Sequence, residues 1–516
     1  MKHLIYSLNN IWTIVIFLAF VIVGLLLIFP LYNIFVASFL DNETGVFTLQ
    51  NYTNILGRRY YRTAIYNSVI VGLSSMVGAL IIGIPLAFFT ARYNIKGKSL
   101  ISTLAILALV SPPFIGAYAW IMMLGSNGWL RLGLESMGIS MPTIYGPLGI
   151  ILVFSLKFYP FVFLLTAGAI RTINVSLEEA AESLGCRPFS NFMRVTLPII
   201  FPAVSTGALL AFVLSLADFG TPSIIGRNFR VLSTLAYNLF TSEMGGNPGL
   251  ASTVSILLIL VSLIFVYIQR RLIRKKDYGS NMLRRPEGKQ LSRVSSIPVH
   301  ALCYLIVFLS SLPSLVVIYN SFRKTSGPVF KSGFGLDSYR RIINDVPDAI
   351  FNSFVFSISA VLMIVALGTL VGYTVARKPS ILTGFLDSLL MIPYIVPGVV
   401  LGLGFIVSFN SKPVVLVGTA TIIILVIFVR RLPYSVRSSV SILKQISLGV
   451  EEAAISLGAS PAKTFLKVTL PLMMPGVFAG AMMAFITAIN ELSSSIILYV
   501  GGTVTMPVRI YLSVLD

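Results

Sequence analysis

The chain has 516 residues, 56% hydrophobic and only 11% charged, where a soluble domain carries about 25% charged residues, so an ordinary soluble globular fold is excluded. A formal charge of +20 reads as the Lys/Arg excess that membrane proteins place on cytoplasmic loops, not as a nucleic-acid surface. Two cysteines, Cys186 and Cys303, cannot build a disulfide framework, and no Cys/His cluster has metal-ligand spacing. Repeated apolar runs of about 20 residues define an all-α polytopic membrane protein.

In chain order, the apolar run 11–29 is too long for a signal-peptide core and opens a retained helix over about 11–33. A second helix near 65–90 ends on a basic turn with Arg92, Lys96 and Lys98. The third, about 100–125, contains Pro112 and Pro113, which must bend or break it because proline removes a backbone donor and clashes with the preceding turn. Helices at about 147–170, 199–220 and 250–268 complete the first half, 1–268. Residues 269–297 hold nine Lys/Arg with no apolar periodicity, as expected of a cytoplasmic linker.

The second half, 298–516, replays the first. Asn67-Ser68 matches Asn352-Ser353, Ala91-Arg92 matches Ala376-Arg377, and Tyr159-Pro160 resembles Leu432-Pro433 at an offset of 273 residues. Pro112-Pro113 has a looser counterpart in Pro393 and Pro397. The chain is a tandem duplication of a six-helix unit. Two parallel repeats are expected to be related by an axis along the membrane normal. Eleven helices are expected after the count, and the repeat leads one to expect a twelfth beyond Asp516 in a longer chain.

The most regular repeated feature is polar. Glu178-Glu179-Ala180-Ala181, then Gly185 and Val195-Thr196-Leu197-Pro198, recurs as Glu451-Glu452-Ala453-Ala454, Gly458 and Val468-Thr469-Leu470-Pro471. The spacing predicts a short helix, a glycine turn and a second helix. Ser176 and Glu179 suit a capping box, Gly185 and Gly458 suit left-handed helix ends, and Pro188 and Pro461 suit the first turn of the next helix. Ser460 suits an N-cap. Paired alanines leave a low surface for a partner beside acidic side chains.

This pattern resembles the EAA motif of permease subunits of bacterial binding-protein-dependent ABC importers. The likeness implies a fused two-domain permease of the bacterial cytoplasmic membrane, similar to ferric-iron permeases. It also implies coupling helices on two copies of an ABC ATPase. Glu178, Glu179, Ala180, Ala181 and Gly185 would engage one, and Glu451, Glu452, Ala453, Ala454 and Gly458 the other. An extracytoplasmic substrate-binding protein would deliver the cargo. No G-x-x-x-x-G-K-[ST] occurs, so the chain needs no cofactor of its own, with ATP and magnesium on the partner. It would not itself be an enzyme.

Charges within apolar helices are costly and mark partners or wet cavities. Lys157 and Arg430 occupy equivalent positions, with Arg431 beside the latter. Asp218 ends one helix, and its counterpart is read at Asn490-Glu491, with Glu491 one residue further on. These groups either pair and hold the halves together or line a translocation path. Leu216 to Gly220, Ile392 to Gly398 and Thr505 to Val508 add to the likeness to ferric-iron permeases; phosphonate, thiamine and polyamine permeases are the alternatives. An ion-gradient-driven secondary transporter is the competing class.

Overall fold

The computed structural model describes residues 11–242, 246–274, 288–326 and 329–515. The expected linker therefore lies partly outside the described residues, since 275–287 are not among them. The chain is an all-α polytopic membrane protein whose only sheets, among the described residues, are two two-stranded hairpins.

The principal helices are α1 (Ile11–Ala37), α2 (Arg59–Arg92), α3 (Lys98–Val110), α4 (Pro113–Leu124), α5 (Pro147–Ile170), α6 (Val175–Ser183), α7 (Pro188–Ala217) and α8 (Pro248–Arg274). In the second half they are α9 (Arg293–Ser321), α10 (Pro347–Arg377), α11 (Ile381–Leu389), α12 (Gly398–Phe409), α13 (Ala420–Leu443), α14 (Leu448–Ser456) and α15 (Pro461–Ile489). Among the described residues, eight helices are long and apolar enough to cross a membrane, and two bent pairs would each supply one broken span. The 24-residue helix α13 matches them in length but carries Arg430, Arg431 and Arg437, so apolarity alone does not mark it.

The broken spans are where proline predicts them. α3 and the helical stretch after it turn by 102°, and the α11 and α12 segments turn by 108°. Pro112 and Pro397 are both extended, each directly before the first residue of the next helix. Proline supplies no N–H, so the carbonyls at the end of the preceding helix need other donors.

Two compact units divide the chain. One holds Asn54–Leu235 with Leu257–Asn344 and contains the first motif; the other holds Met1–Thr53, Ala236–Ile256 and Asp345–Asp516 and contains the second. These are called the copy-one and copy-two units. The leading helix of each sequence repeat thus packs with the other repeat. In the copy-two unit, Trp12 of α1 stacks 4.3 Å from Tyr373 and 5.2 Å from Phe465. Asn33 also donates to Ser408 at 2.8 Å. In the copy-one unit, Ser310 of α9 bonds the Tyr159 hydroxyl at 3.0 Å.

Inside each unit the helices approach closely over small residues, the usual solution where lipid offers no hydrophobic drive between helices. A Cβ at Gly83 would lie 2.8 Å from Val162, and one at Gly368 would lie 2.6 Å from Ser435. The repeated Asn-Ser pair has a structural task. Asn67 donates to the Arg230 carbonyl at 2.9 Å while Ser68 accepts from the Leu232 N–H at 2.7 Å. Asn352 and Ser353 do the same with Val504 (3.1 Å) and Met506 (2.6 Å). Each pair fixes the start of the helix that follows, Leu232–Thr241 or Met506–Leu515.

Candidate functional site

The two motif inserts fold alike. α6 ends in a Schellman turn: Gly185 N–H donates to the Glu182 carbonyl at 2.9 Å and Cys186 N–H to Ala181 at 3.0 Å, with Gly185 at φ 83°. α14 ends identically, Gly458 donating to Ile455 at 2.9 Å and Ala459 to Ala454 at 3.1 Å, with Gly458 at φ 85°. Only a residue without Cβ adopts these dihedrals at little cost. Pro188 and Pro461 then open the next helices, and Ser460 accepts from the Lys463 N–H at 3.4 Å as its N-cap. Each return helix contains a five-residue π turn, Phe192–Thr196 and Phe465–Thr469.

The expected Ser176–Glu179 capping box is not what starts α6. The helix begins two residues earlier, at Val175, and Asn174 is the N-cap, its side chain accepting from the Ser176 N–H at 3.2 Å. In copy two Ser447 takes that role. Asn174 is as good a cap as serine and stands nearer the end of α5, so tertiary position selects it.

The two glutamates of each motif part company. Glu178 is buried; it pairs with Arg92 at the end of α2 and accepts from the Thr196 hydroxyl at 2.6 Å, while its own carbonyl accepts from Asn191 at 3.1 Å. Glu451 is buried in the same way, pairing with Arg377 at 2.8 Å and accepting from the Tyr373 hydroxyl at 2.8 Å. Arg377 also donates to the Ile446 carbonyl at 2.8 Å. The expectation that Glu178 and Glu451 face a partner therefore does not fit their placement; they turn inward. A buried carboxylate must be paired and hydrogen-bonded, and a helical arginine supplies the pairing charge in each copy.

Glu179, Ala180 and Gly185, with Glu452, Ala453 and Gly458, stay exposed, and Ala181 and Ala454 are half-buried. Beside them Leu184 and Leu457 are each 90% exposed. These leucines were missed from the sequence, although their identical place before each glycine was the available signal. Arg92 stands in the sequence as part of a basic turn and, with Arg377, as part of the repeat; nothing local links either arginine to its glutamate, which follows it by 86 or 74 residues.

The charges within the spans gather at the two proline breaks. Lys157 of α5 donates to the carbonyls of Ala108 at 2.7 Å and Leu109 at 3.0 Å, and also to that of Ser111. It thereby supplies donors and positive charge to the carbonyl end of α3. A cavity of about 30 Å³ adjoins it, lined also by Trp120, Ser310 and Ser314. Asp218 acts electrostatically on Lys157 and accepts from the Thr221 N–H at 2.8 Å.

In copy two Arg430 and Arg431 both pair with Glu491, which accepts from the Ser494 N–H at 3.1 Å and its hydroxyl at 3.0 Å. Asn490 is the C-cap of α15. Asp218 and Glu491 each receive the N–H three residues on and lie 273 residues apart, so Glu491 is the direct counterpart of Asp218, not displaced by one as the sequence reading had it.

The sequence pattern described as "Binding-protein-dependent transport system inner membrane component" matches residues 83–278 and again 364–513. The ferric transport system permease protein FbpB of Actinobacillus pleuropneumoniae is 28% identical over 489 residues, 92% of this chain and 70% of that protein. A putative ferric transport system permease protein FbpB 1 of Haemophilus influenzae is 27% identical over 492 residues, covering 92% and 76%. The molybdenum transport system permease protein ModB of Mycobacterium tuberculosis is 32% identical over 206 residues, 40% of this chain and 77% of that one. Among solved structures, a bacterial ABC transporter that imports the acidic polysaccharide alginate aligns with a TM-score of 0.42 at 20% identity, covering 53% of this chain and 96% of that one.

Proposed function

The chain belongs to the family of binding-protein-dependent transport system inner membrane components, the permeases of ABC importers, and we propose that it admits ferric iron across a bacterial cytoplasmic membrane. The motif hairpins would lie on the cytoplasmic side, where the basic linker also belongs by the positive-inside rule. Two ATPase subunits, carrying ATP and magnesium, would each dock on one hairpin. A binding protein on the opposite face would deliver cargo. The observation that carries this reading is the paired geometry: two hairpins present the same exposed face, Glu179, Ala180 and Leu184 against Glu452, Ala453 and Leu457.

Each hairpin is tied to a spanning helix by its buried Glu–Arg pair, so movement of a docked ATPase would reach α2 or α10 directly. ATP-driven closure would then switch the permease between outward and inward access, and cargo biases that switch only through different affinities for the two states.

Iron is favoured by likeness over 92% of this chain to two ferric permeases. Lys157, Asp218, Arg430, Asn490 and Glu491 would frame the path at the two breaks. The internal partners of Lys157, Asp218, Arg430 and Glu491 make these four positioning groups there. The Nε atoms of Arg430 and Arg431, buried without a protein partner among the described residues, would suit an anion accompanying the metal.

The test is uptake of labelled ferric iron by a strain lacking this gene. The wild-type chain should restore uptake, and E179K combined with E452K should abolish it while leaving the protein in the membrane. Restored uptake of molybdate but not iron would overturn the cargo; undiminished iron uptake by the doubly reversed variant would overturn the coupling.

A further inference from the structure

In the copy-one unit an open groove of about 460 Å³ runs between α3 and α9. Leu104 and Leu107 line one wall and Leu305, Phe308, Leu315 and Ile318 the other. Of these, Leu107, Leu305, Phe308, Leu315 and Ile318 are exposed. The α9 wall runs from Tyr304 to Ile318, about 21 Å of helix at about 1.5 Å per residue. One leaflet of a hydrocarbon core roughly 30 Å thick is about 15 Å, so an extended acyl chain fits along the wall.

One end of the groove is basic. The Tyr304 hydroxyl donates to the Lys96 carbonyl at 2.9 Å, and the His300 Nε2 accepts from the Lys96 N–H at 3.1 Å. Lys98 begins α3 just beyond this contact. Lys157 of α5 meets the far end of α3 at Ala108 and Leu109, and from there the two helices run to Lys98 and to Arg171, the C-cap of α5, about 15 and 21 Å on at about 1.5 Å per residue. Among the described residues, no carboxylate pairs with Lys96, Lys98 or Arg171. Lys98 and Arg171 therefore bring two cations without a carboxylate partner, among the described residues, to the end where the apolar groove begins. In the copy-two unit, the corresponding crossing of α1 over α11 carries a ring contact, Phe20 stacked on Phe385 at 6.1 Å.

We infer that the α3–α9 groove binds an anionic phospholipid, its acyl chain along the groove and its phosphate between Lys98 and Arg171. A phosphate accepts charge-assisted bonds from both cations and removes their mutual repulsion. A zwitterionic lipid fills the groove equally well but brings its own cation to the same place, so the headgroup sets the preference.

The full chain is reconstituted in phosphatidylcholine bilayers with trace photoactivatable phosphatidylglycerol or photoactivatable phosphatidylcholine of the same acyl length, and labelled peptides are mapped. The anionic probe should label α3 and α9 peptides roughly tenfold or more over the zwitterionic one. K98Q with R171Q should bring the two probes level, and K98Q alone should lower the preference part-way, which keeps the test open if the double variant fails to insert. R340Q with R341Q removes two cations from another helix and should change nothing, while L305W should reduce labelling by both probes. Equal labelling of the wild type by both probes, meaning bulk lipid contact only, would overturn the site. So would a preference that survives K98Q with R171Q, or one that R340Q with R341Q erases equally.

Discussion

The two motif hairpins share a backbone but differ in how one buried carboxylate is satisfied. Each glutamate is pinned by the arginine that ends an earlier long helix of its unit, Arg92 of α2 for Glu178 and Arg377 of α10 for Glu451. The neutral second donor differs. Glu178 takes it from Thr196 on the return helix, whereas Glu451 takes it from Tyr373 on α10. Counting along the repeat, Tyr373 corresponds to Phe88, which has no hydroxyl, and Thr196 corresponds to Thr469, whose hydroxyl is buried without a partner among the described residues. The aromatic contact itself is kept: Phe88 meets Phe192 at 4.9 Å and Tyr373 meets Phe465 at 5.0 Å. The charge pair and the turn are thus shared by both copies, while the neutral bond has moved from one side of the carboxylate to the other. A carboxylate offers several lone pairs, so either approach satisfies it.

The comparison breaks first if the pins are not equivalent. R92M and R377M each strand a buried carboxylate and should each destabilise by about 3–5 kcal/mol, read as thermal unfolding of the purified chain in detergent. One copy tolerating the change would show that its glutamate has another cation. The neutral donors separate the copies. T196V and Y373F should each cost about 1.5–3 kcal/mol, the range for a bond to a charged group, while T469V and F88Y should leave the unfolding midpoint nearly unchanged. A large loss from T469V would reverse the assignment.

The turns should respond alike. G185A and G458A meet nothing within 4 Å, so each should cost only the left-handed backbone penalty, about 1–2 kcal/mol. Smallest are the caps: N174A and S447A should each cost about 1 kcal/mol, and S176A less than either. An S176A loss matching N174A would restore the capping box to the helix start.

What was legible in the sequence was local. Gly185, Gly458, Pro188, Pro461 and Ser460 declare their turns through dihedral and donor constraints that act within a few residues. Pro112 and Pro397 declare the broken spans for the same reason. The inward turn of Glu178 was not legible, because it depends on an arginine 86 residues earlier in the chain. Asn174 prevailed over Ser176 as a cap because the preceding helix delivers the chain to it. The task of Lys157 was hidden too, since its partners are backbone carbonyls freed by a proline break, and carbonyls leave no mark in a sequence. The exchange of leading helices between the compact units likewise follows from packing over aromatic surfaces such as Trp12 on Tyr373, which no motif records.

On the proposed function, the two hairpins are two separate docking points. Native mass spectrometry of the permease with its ATPase, in the wild type and in L184D, L457D and their combination, counts them directly. Two ATPase subunits per wild-type chain are expected, one for each single variant and none for the double. A wild-type complex with one ATPase, or a single variant that loses both, would mean that the hairpins do not dock separately.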